Sequence, residues 1–213
     1  MAKYILFDLD GTLTDSGLGI VNCVKYALDK LNVSYVGKDL NKFVGPPLVE
    51  SFKEEFNFSQ KQAEKGVEIY RERFKDIGIF ENVLYDGVEE CLKTLKKNGK
   101  KIILATSKPE VFAKRILEHF KIDCYFDFVV GSLLNHTRDD KAEVIEYAVK
   151  EFNVNVSDAV MVGDRKFDAL GAAKNNLSAV GVLWGYGSEK ELLEAGVIKN
   201  CRTVSELTEF LLK

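Results

Sequence analysis

The sequence predicts an α/β protein: a parallel sheet with helices on both faces, interrupted after its first strand by a small helical insertion. Three observations predict it. An apolar run, Tyr4 to Phe7, opens the chain; the stretch from Asp15 to about Asn82 has helical spacing and little strand signal; and from Asp86 onward helical and strand-like segments alternate.

The first run is apolar throughout, as a parallel strand buried on both faces must be. In the next block Ile20, Val24, Ala27, Leu28 and Leu31 recur every three or four positions, which is one helix face. Two more helices are predicted over Leu48 to Phe56 and Gln60 to Phe74. Three consecutive helices do not fit an alternating sheet, so the block is an insertion. Beyond Asp86 the pattern predicts a helix over Val88 to Lys97, a strand over Ile102 to Ala105, a helix over Val111 to Phe120 and a strand over Phe126 to Val130. It continues with a helix over Lys141 to Phe152, a strand over Ala159 to Val162, a helix over Ala169 to Asn175, a strand over Ala179 to Leu183 and a last helix from about Val204 to Leu212. Right-handed crossovers would place the first strand in the same sheet. The expected organisation is therefore a core of residues 1–15 and 83–213 and a helical domain of residues 16–82, joined by glycine-containing polar segments that suit hinges.

Composition bounds the function. The chain has 213 residues, 30 Lys and Arg against 33 Asp and Glu, and a formal net charge of -3, so there is no electrostatic case for a nucleic-acid partner. No apolar stretch reaches the roughly 18 residues a membrane span needs, and no basic segment leads into a long apolar one at the start; no membrane partner and a cytoplasmic location are expected. The four cysteines, Cys23, Cys91, Cys124 and Cys201, form no Cys-x-x-Cys pair, so neither a disulfide framework nor a zinc site is expected. His119 and His136 read as ordinary residues rather than catalysts.

The chemistry concentrates where strands end. Asp8 and Asp10 follow the first strand directly, with Gly11 next. Two like charges this close at the end of a buried strand require a cation, a proton or a reactive role. A solvated turn whose acids cap backbone amides is the alternative, but the apolar run and the immediate glycine favour the strand end, where open α/β sheets bind ligands. Thr106 and Ser107 follow the strand Ile102 to Ala105 and offer a hydroxyl and backbone amides to phosphate oxygens, although such residues are also common in turns. Asp164 and Asp168 follow the strand Ala159 to Val162 four apart, so one helical turn can direct both into one space; helix capping is the other reading of Asp164. Carboxylates facing Asp8 and Asp10 would hold a hard divalent cation, and Mg2+ fits an oxygen site completed by water and phosphate.

The stretch from Lys3 to Asp15, KYILFDLDGTLTD, resembles the signature Asp-x-Asp-Gly-Thr-Leu-x-Asp of the haloacid dehalogenase superfamily, and the helical insertion resembles the cap of its phosphoglycolate phosphatase and β-phosphoglucomutase branch. The resemblance implies a Rossmann-like core, Asp8 as a nucleophile that forms an aspartyl-phosphate, and Asp10 as general acid and then base. Family dehalogenases work without the second aspartate and without metal, so Asp10 argues for phosphoryl transfer. The string ATSKP resembles the second family motif and makes Thr106 a phosphate ligand, with Ser107 beside it. Lys141 stands at the place of the third-motif lysine, Lys108 and Arg138 being competing cations; the Lys-Pro-x-Pro usual there lacks both prolines. Asp164 and Asp168 match the fourth motif, where the first acid binds metal and the second supports it or the lysine; Arg165 stands where Thr or Ser is commoner. The expected metal set is Asp8, Asp10, Asp164 and Asp168.

LWGYGS, from Leu183 to Ser188, resembles a loop near the active-site edge. In the cap, Gly45 within FVGPPL and Arg71 or Arg73 within YRERF are candidates for substrate selectivity. The implied function is a Mg2+-dependent phosphatase acting on a small phosphorylated metabolite, of the phosphoglycolate or nucleoside monophosphate class, as a monomer or small homo-oligomer. A sugar phosphomutase of the β-phosphoglucomutase type and a non-catalytic phosphate-binding regulatory protein are the alternatives.

Overall fold

The computed structural model describes residues 2–135 and 137–213, so His136 lies outside the described residues. In chain order the elements are β1 (Tyr4–Phe7), β2 (Thr14–Asp15), α1 (Gly17–Lys30), α2 (Leu48–Phe56), α3 (Gln60–Phe74), β3 (Val83–Leu84), α4 (Val88–Lys97), β4 (Lys101–Pro109), α5 (Glu110–His119), β5 (Phe128–Ser132), α6 (Lys141–Glu151), β6 (Ala159–Gly163), α7 (Lys166–Lys174), β7 (Ser178–Val182), α8 (Glu189–Glu194), β8 (Lys199–Cys201) and α9 (Val204–Leu212). They fall into two compact units, Met1–Thr14 with Leu84–Lys213, and Asp15–Val83.

The first unit is the α/β core. Its six strands form one parallel sheet in the order β5-β4-β1-β6-β7-β8, which places the opening strand at the centre. Tyr4 is level with Lys101 of β4 and Ala159 of β6, so these three neighbours run in step toward the same sheet edge. Leu6, Ile103, Val130 and Met161 bury one sheet face against Val144, Ile145 and Ala148 of α6 and Ala169 and Ala172 of α7. Each large aliphatic side chain removed from water there contributes about 1.5–3 kcal/mol. The helices present apolar stripes to match: Val88, Cys91, Leu92 and Leu95 are the buried residues of α4, at the spacing of one helix face. Asp140 caps α6 by accepting the amide hydrogen of Ala142 at 2.7 Å, which fixes where Lys141 begins its helix.

The second unit is helical. Ile20, Cys23, Val24, Ala27 and Leu28 form the buried side of α1, and Phe43, Phe52, Phe56 and Phe58 make a cluster of ring contacts around α2. Ser59 and Gln62 close a capping box at the start of α3. Between Arg73 of α3 and Glu81 a bidentate ion pair forms, with nitrogen to oxygen distances of 2.6 and 2.8 Å, and Asn22 of α1 also donates to Glu81.

Several elements differ from the sequence expectation for local reasons. α7 starts at Lys166, not Ala169, because the Asp168 carboxylate accepts the amide hydrogen of Arg165 at 3.1 Å and closes a polar first turn that apolar periodicity cannot report. β4 runs past Ala105 to Pro109, with a shift of register against β5 in that stretch. The expectation contained neither α8 nor β8; six and three residues are too few for a periodic signal. No helix among the described residues is long and apolar enough to cross a membrane. Cys23, Cys91, Cys124 and Cys201 are thiols outside any disulfide, Cys124 exposed and the others buried.

Candidate active site

The order of the sheet explains the site. β1 lies between β4 and β6, and all three run parallel, so Asp8 after β1, Thr106 and Lys108 at the end of β4, and Asp164 after β6 meet at one edge. This is the carboxyl end of a parallel sheet, the usual ligand side. Asp168 joins them from the first turn of α7, and Lys141 from the start of α6.

One carboxylate oxygen from each of Asp8, Asp164 and Asp168 lies within 4.8 Å of the others, and all three residues are buried. The Lys141 ammonium sits against this group, 2.7 Å from Asp8 Oδ1, 2.9 Å from Asp168 Oδ1 and 3.1 Å from the carbonyl oxygen of Ala105. Three acceptors use all three of its protons. Burial works against its charge, but the Asp168 and Asp8 carboxylates outweigh it and hold the lysine above its ordinary value.

Asp164 has the opposite balance. Burial, followed by the charges of Asp168 and Asp8, pushes its carboxyl up to about 8, although the Tyr186 amide and Arg165 pull it down. Asp168 is also raised, by burial and the Asp8 charge, against the pull of Lys141. Three acids with one ammonium between them leave negative charge in a dry place. An all-oxygen set with that excess suits a hard divalent cation.

Backbone packing holds Asp164 in position. Its Oδ2 accepts the amide hydrogen of Tyr186 at 2.7 Å, and Thr12 donates its hydroxyl to Oδ1 at 3.4 Å. The Trp184 indole donates in turn to the carbonyl oxygen of Thr12 at 3.0 Å. Gly11 has φ of +81°, and a Cβ there would collide with the Asp164 carboxylate, so both the turn and the space require glycine. The tract LWGYGS thus reaches the acid cluster through Tyr186. Thr12 and the Tyr186 amide were absent from the sequence expectation, because a backbone amide leaves no side-chain pattern to read and a hydroxyl 152 positions from its partner shows no spacing that links the two.

The structure does not bring every expected residue to the cluster. The carboxylate of Asp10 lies outside the group of three, and Lys108 holds it instead, with Nζ 2.7 Å from Oδ2 and 2.9 Å from Oδ1. The buried Thr106 hydroxyl accepts the amide hydrogen of Lys108 at 3.2 Å, and the carbonyl of Ser107 accepts the hydroxyl of Ser132 at 2.8 Å. Of the three competing cations, Lys141 meets Asp8, Lys108 meets Asp10, and Arg138 pairs with Glu110 at 3.4 Å and covers the Tyr147 ring. Gly45 and Arg71 belong to the helical unit, as does Arg73, whose guanidinium is engaged by Glu81. His119 is exposed at the end of α5.

Acids that converge from separate strand ends of an α/β sheet suit chemistry on an anion held by a cation, and comparison with known proteins gives the family. The chain belongs to the haloacid dehalogenase-like hydrolase family, whose model matches residues 5–182. It is 39% identical over 208 residues to a Pseudomonas aeruginosa protein named 5'-nucleotidase, covering 97% of this chain and 94% of that one. It is 35% identical to the Mycobacterium tuberculosis protein named tyrosine-protein kinase PtkA, covering 98% of this chain and 72% of that one. Among solved structures, a Clostridium acetobutylicum protein described as a predicted phosphatase superposes with a TM-score of 0.95 at 48% identity, covering 100% of this chain and 99% of that one.

Proposed function

We propose that this chain is a Mg2+-dependent phosphatase that hydrolyses a small phosphorylated metabolite through an aspartyl-phosphate on Asp8. Its coarse class, a phosphoric monoester hydrolase, follows from the family and from relatives named as phosphatases. The observation that carries the finer reading is the meeting of the Asp8, Asp164 and Asp168 oxygens within 4.8 Å beside the Lys141 ammonium.

Asp8, Asp164 and Asp168 would hold the metal, which when bound supplies positive charge that offsets the phosphoryl oxygens. Lys141 keeps Asp8 oriented as the nucleophile and adds a second positive charge for the transition state. A carboxylate oxygen of Asp8 forms a bond to phosphorus as the ester oxygen leaves, and that oxygen takes a proton from Asp10. Water then attacks the aspartyl-phosphate and gives its proton to Asp10, which restores both acids and releases inorganic phosphate. Thr106 and the amides around Ser107 bind the phosphate oxygens, and selectivity is assigned to the helical unit through Gly45 and Arg71. Nucleoside monophosphates are the first substrates to test, since the relative named 5'-nucleotidase aligns at 39% and the Colwellia psychrerythraea protein named phosphoglycolate phosphatase at 29%.

Phosphate release from a panel of phosphomonoesters, with Mg2+ and after chelation, tests the reading. Turnover of at least one ester is expected with the metal and none after its removal, and Asp8→Asn should lose activity by orders of magnitude while keeping the fold. Wild-type rates in Asp8→Asn overturn it. A second reading, phosphoryl transfer to or from protein tyrosine, is favoured by the relative named PtkA, and release or incorporation of phosphate on a tyrosine peptide separates the two.

A further inference from the structure

The Lys108 side chain is only 6% exposed, and its ammonium contacts both oxygens of Asp10, at 2.7 and 2.9 Å. An ammonium is a strongly hydrated charge that seldom gives up water without a purpose. Its backbone is fixed as well, because the Lys108 amide donates to Thr106 Oγ1 at 3.2 Å, within a strand that pairs with β1. The arrangement therefore has two lysines on adjoining elements, each engaged with a different aspartate of the segment that follows the first strand: Lys141 with Asp8, and Lys108 with Asp10.

We propose that Lys108 is the positioning residue for Asp10, holding its carboxyl in the orientation from which it delivers a proton to the leaving oxygen. The inference rests on the phosphatase reading above. In that reaction the P–O ester bond breaks and the departing oxygen takes the Asp10 proton; before the transfer one Asp10 oxygen carries that proton while the other accepts from Lys108, and after it both oxygens face the ammonium. Bidentate contact with both oxygens restrains rotation of the carboxyl group about its final torsion, where a free aspartate turns readily. Without Lys108 the carboxyl would sample orientations turned away from the ester oxygen, and the loss would fall on proton delivery rather than on attack by Asp8.

The test compares kcat/KM, which includes steps only through departure of the leaving group, on two esters in the presence of Mg2+. A nucleoside monophosphate has an alkoxide leaving group that needs the proton, whereas p-nitrophenyl phosphate has a stable phenolate that does not. Lys108→Met is expected to lose about 100-fold on the alkyl ester and far less, within about fivefold, on the aryl ester, with Lys108→Arg recovering part of the difference. Equal loss on both esters, or wild-type values on both, overturns the proposal while leaving the phosphatase reading intact. If the panel identifies another alkyl ester as the substrate, that ester takes the place of the nucleoside monophosphate; a wild-type enzyme inactive on every ester of the panel overturns the phosphatase reading and this inference with it. Thermal melting of Lys108→Met and Lys108→Arg separates a folding defect, which lowers both esters alike, from lost positioning.

Discussion

Asp164 is the residue with the least comfortable charge. A carboxyl pushed up to about 8 by burial and by the charges of Asp168 and Asp8 binds a proton more tightly in the folded chain than in the unfolded one, where its value is about 4. In metal-free protein its contribution to stability is therefore present at low pH and is lost as pH rises through about 8. A bound cation takes the place of the proton, so the two compete. The rise in melting temperature on adding saturating Mg2+ should grow with pH up to about 8 and then level off, and Asp164→Asn should lose both the metal-free decline and the Mg2+ gain. A gain that shrinks as pH rises contradicts this balance. The acids at strand ends were legible in the sequence because a charge directly after an apolar run is costly to bury unless a ligand or a reaction uses it. The pairing of Asp10 with Lys108 was not, since side-chain partners depend on rotamers and on strand order, neither of which spacing reveals.

Among the elements, α3 shows what an ion pair does for a helix whose surface is strongly polar. Arg73 and Glu81 meet through two contacts and are 19% and 26% exposed, so solvent screens them only in part. The hydrogen bond from Arg73 holds Glu81 below its ordinary value and the guanidinium is raised in return. The stability from Glu81 is then complete above the usual carboxylate range and disappears as pH falls through the lowered value. Arg73→Met should destabilise the protein by about 1–2 kcal/mol at neutral pH. Urea unfolding should show that gap narrowing in acid, and a gap that widens there refutes the assignment. Elements with apolar stripes, such as α2, α3 and α4, could be bounded from the sequence to the residue. β8, with three residues, and the polar first turn of α7 could not, because their backbone bonds and caps rather than apolar spacing define them.

At the scale of the molecule, the sheet order makes the site. With β1 between β4 and β6, acids separated by more than 150 positions in the chain, Asp8 and Asp164, come together at one edge, while apolar faces packed by α6 and α7 hold the strands in step. Alternation of helix and strand predicts the parallel sheet but not the order of its strands, so the convergence could only be expected, on family resemblance, until the fold was in hand. Asp8 is where that geometry and the proposed chemistry coincide. Acid quenching of the protein during turnover with a radiolabelled phosphomonoester and Mg2+, followed by peptide mapping, tests this most directly. A labelled phosphoryl group on the peptide that contains Asp8, absent from Asp8→Asn, is the predicted result. Continued turnover with the label on another residue, or with no labelled peptide at all, would contradict it.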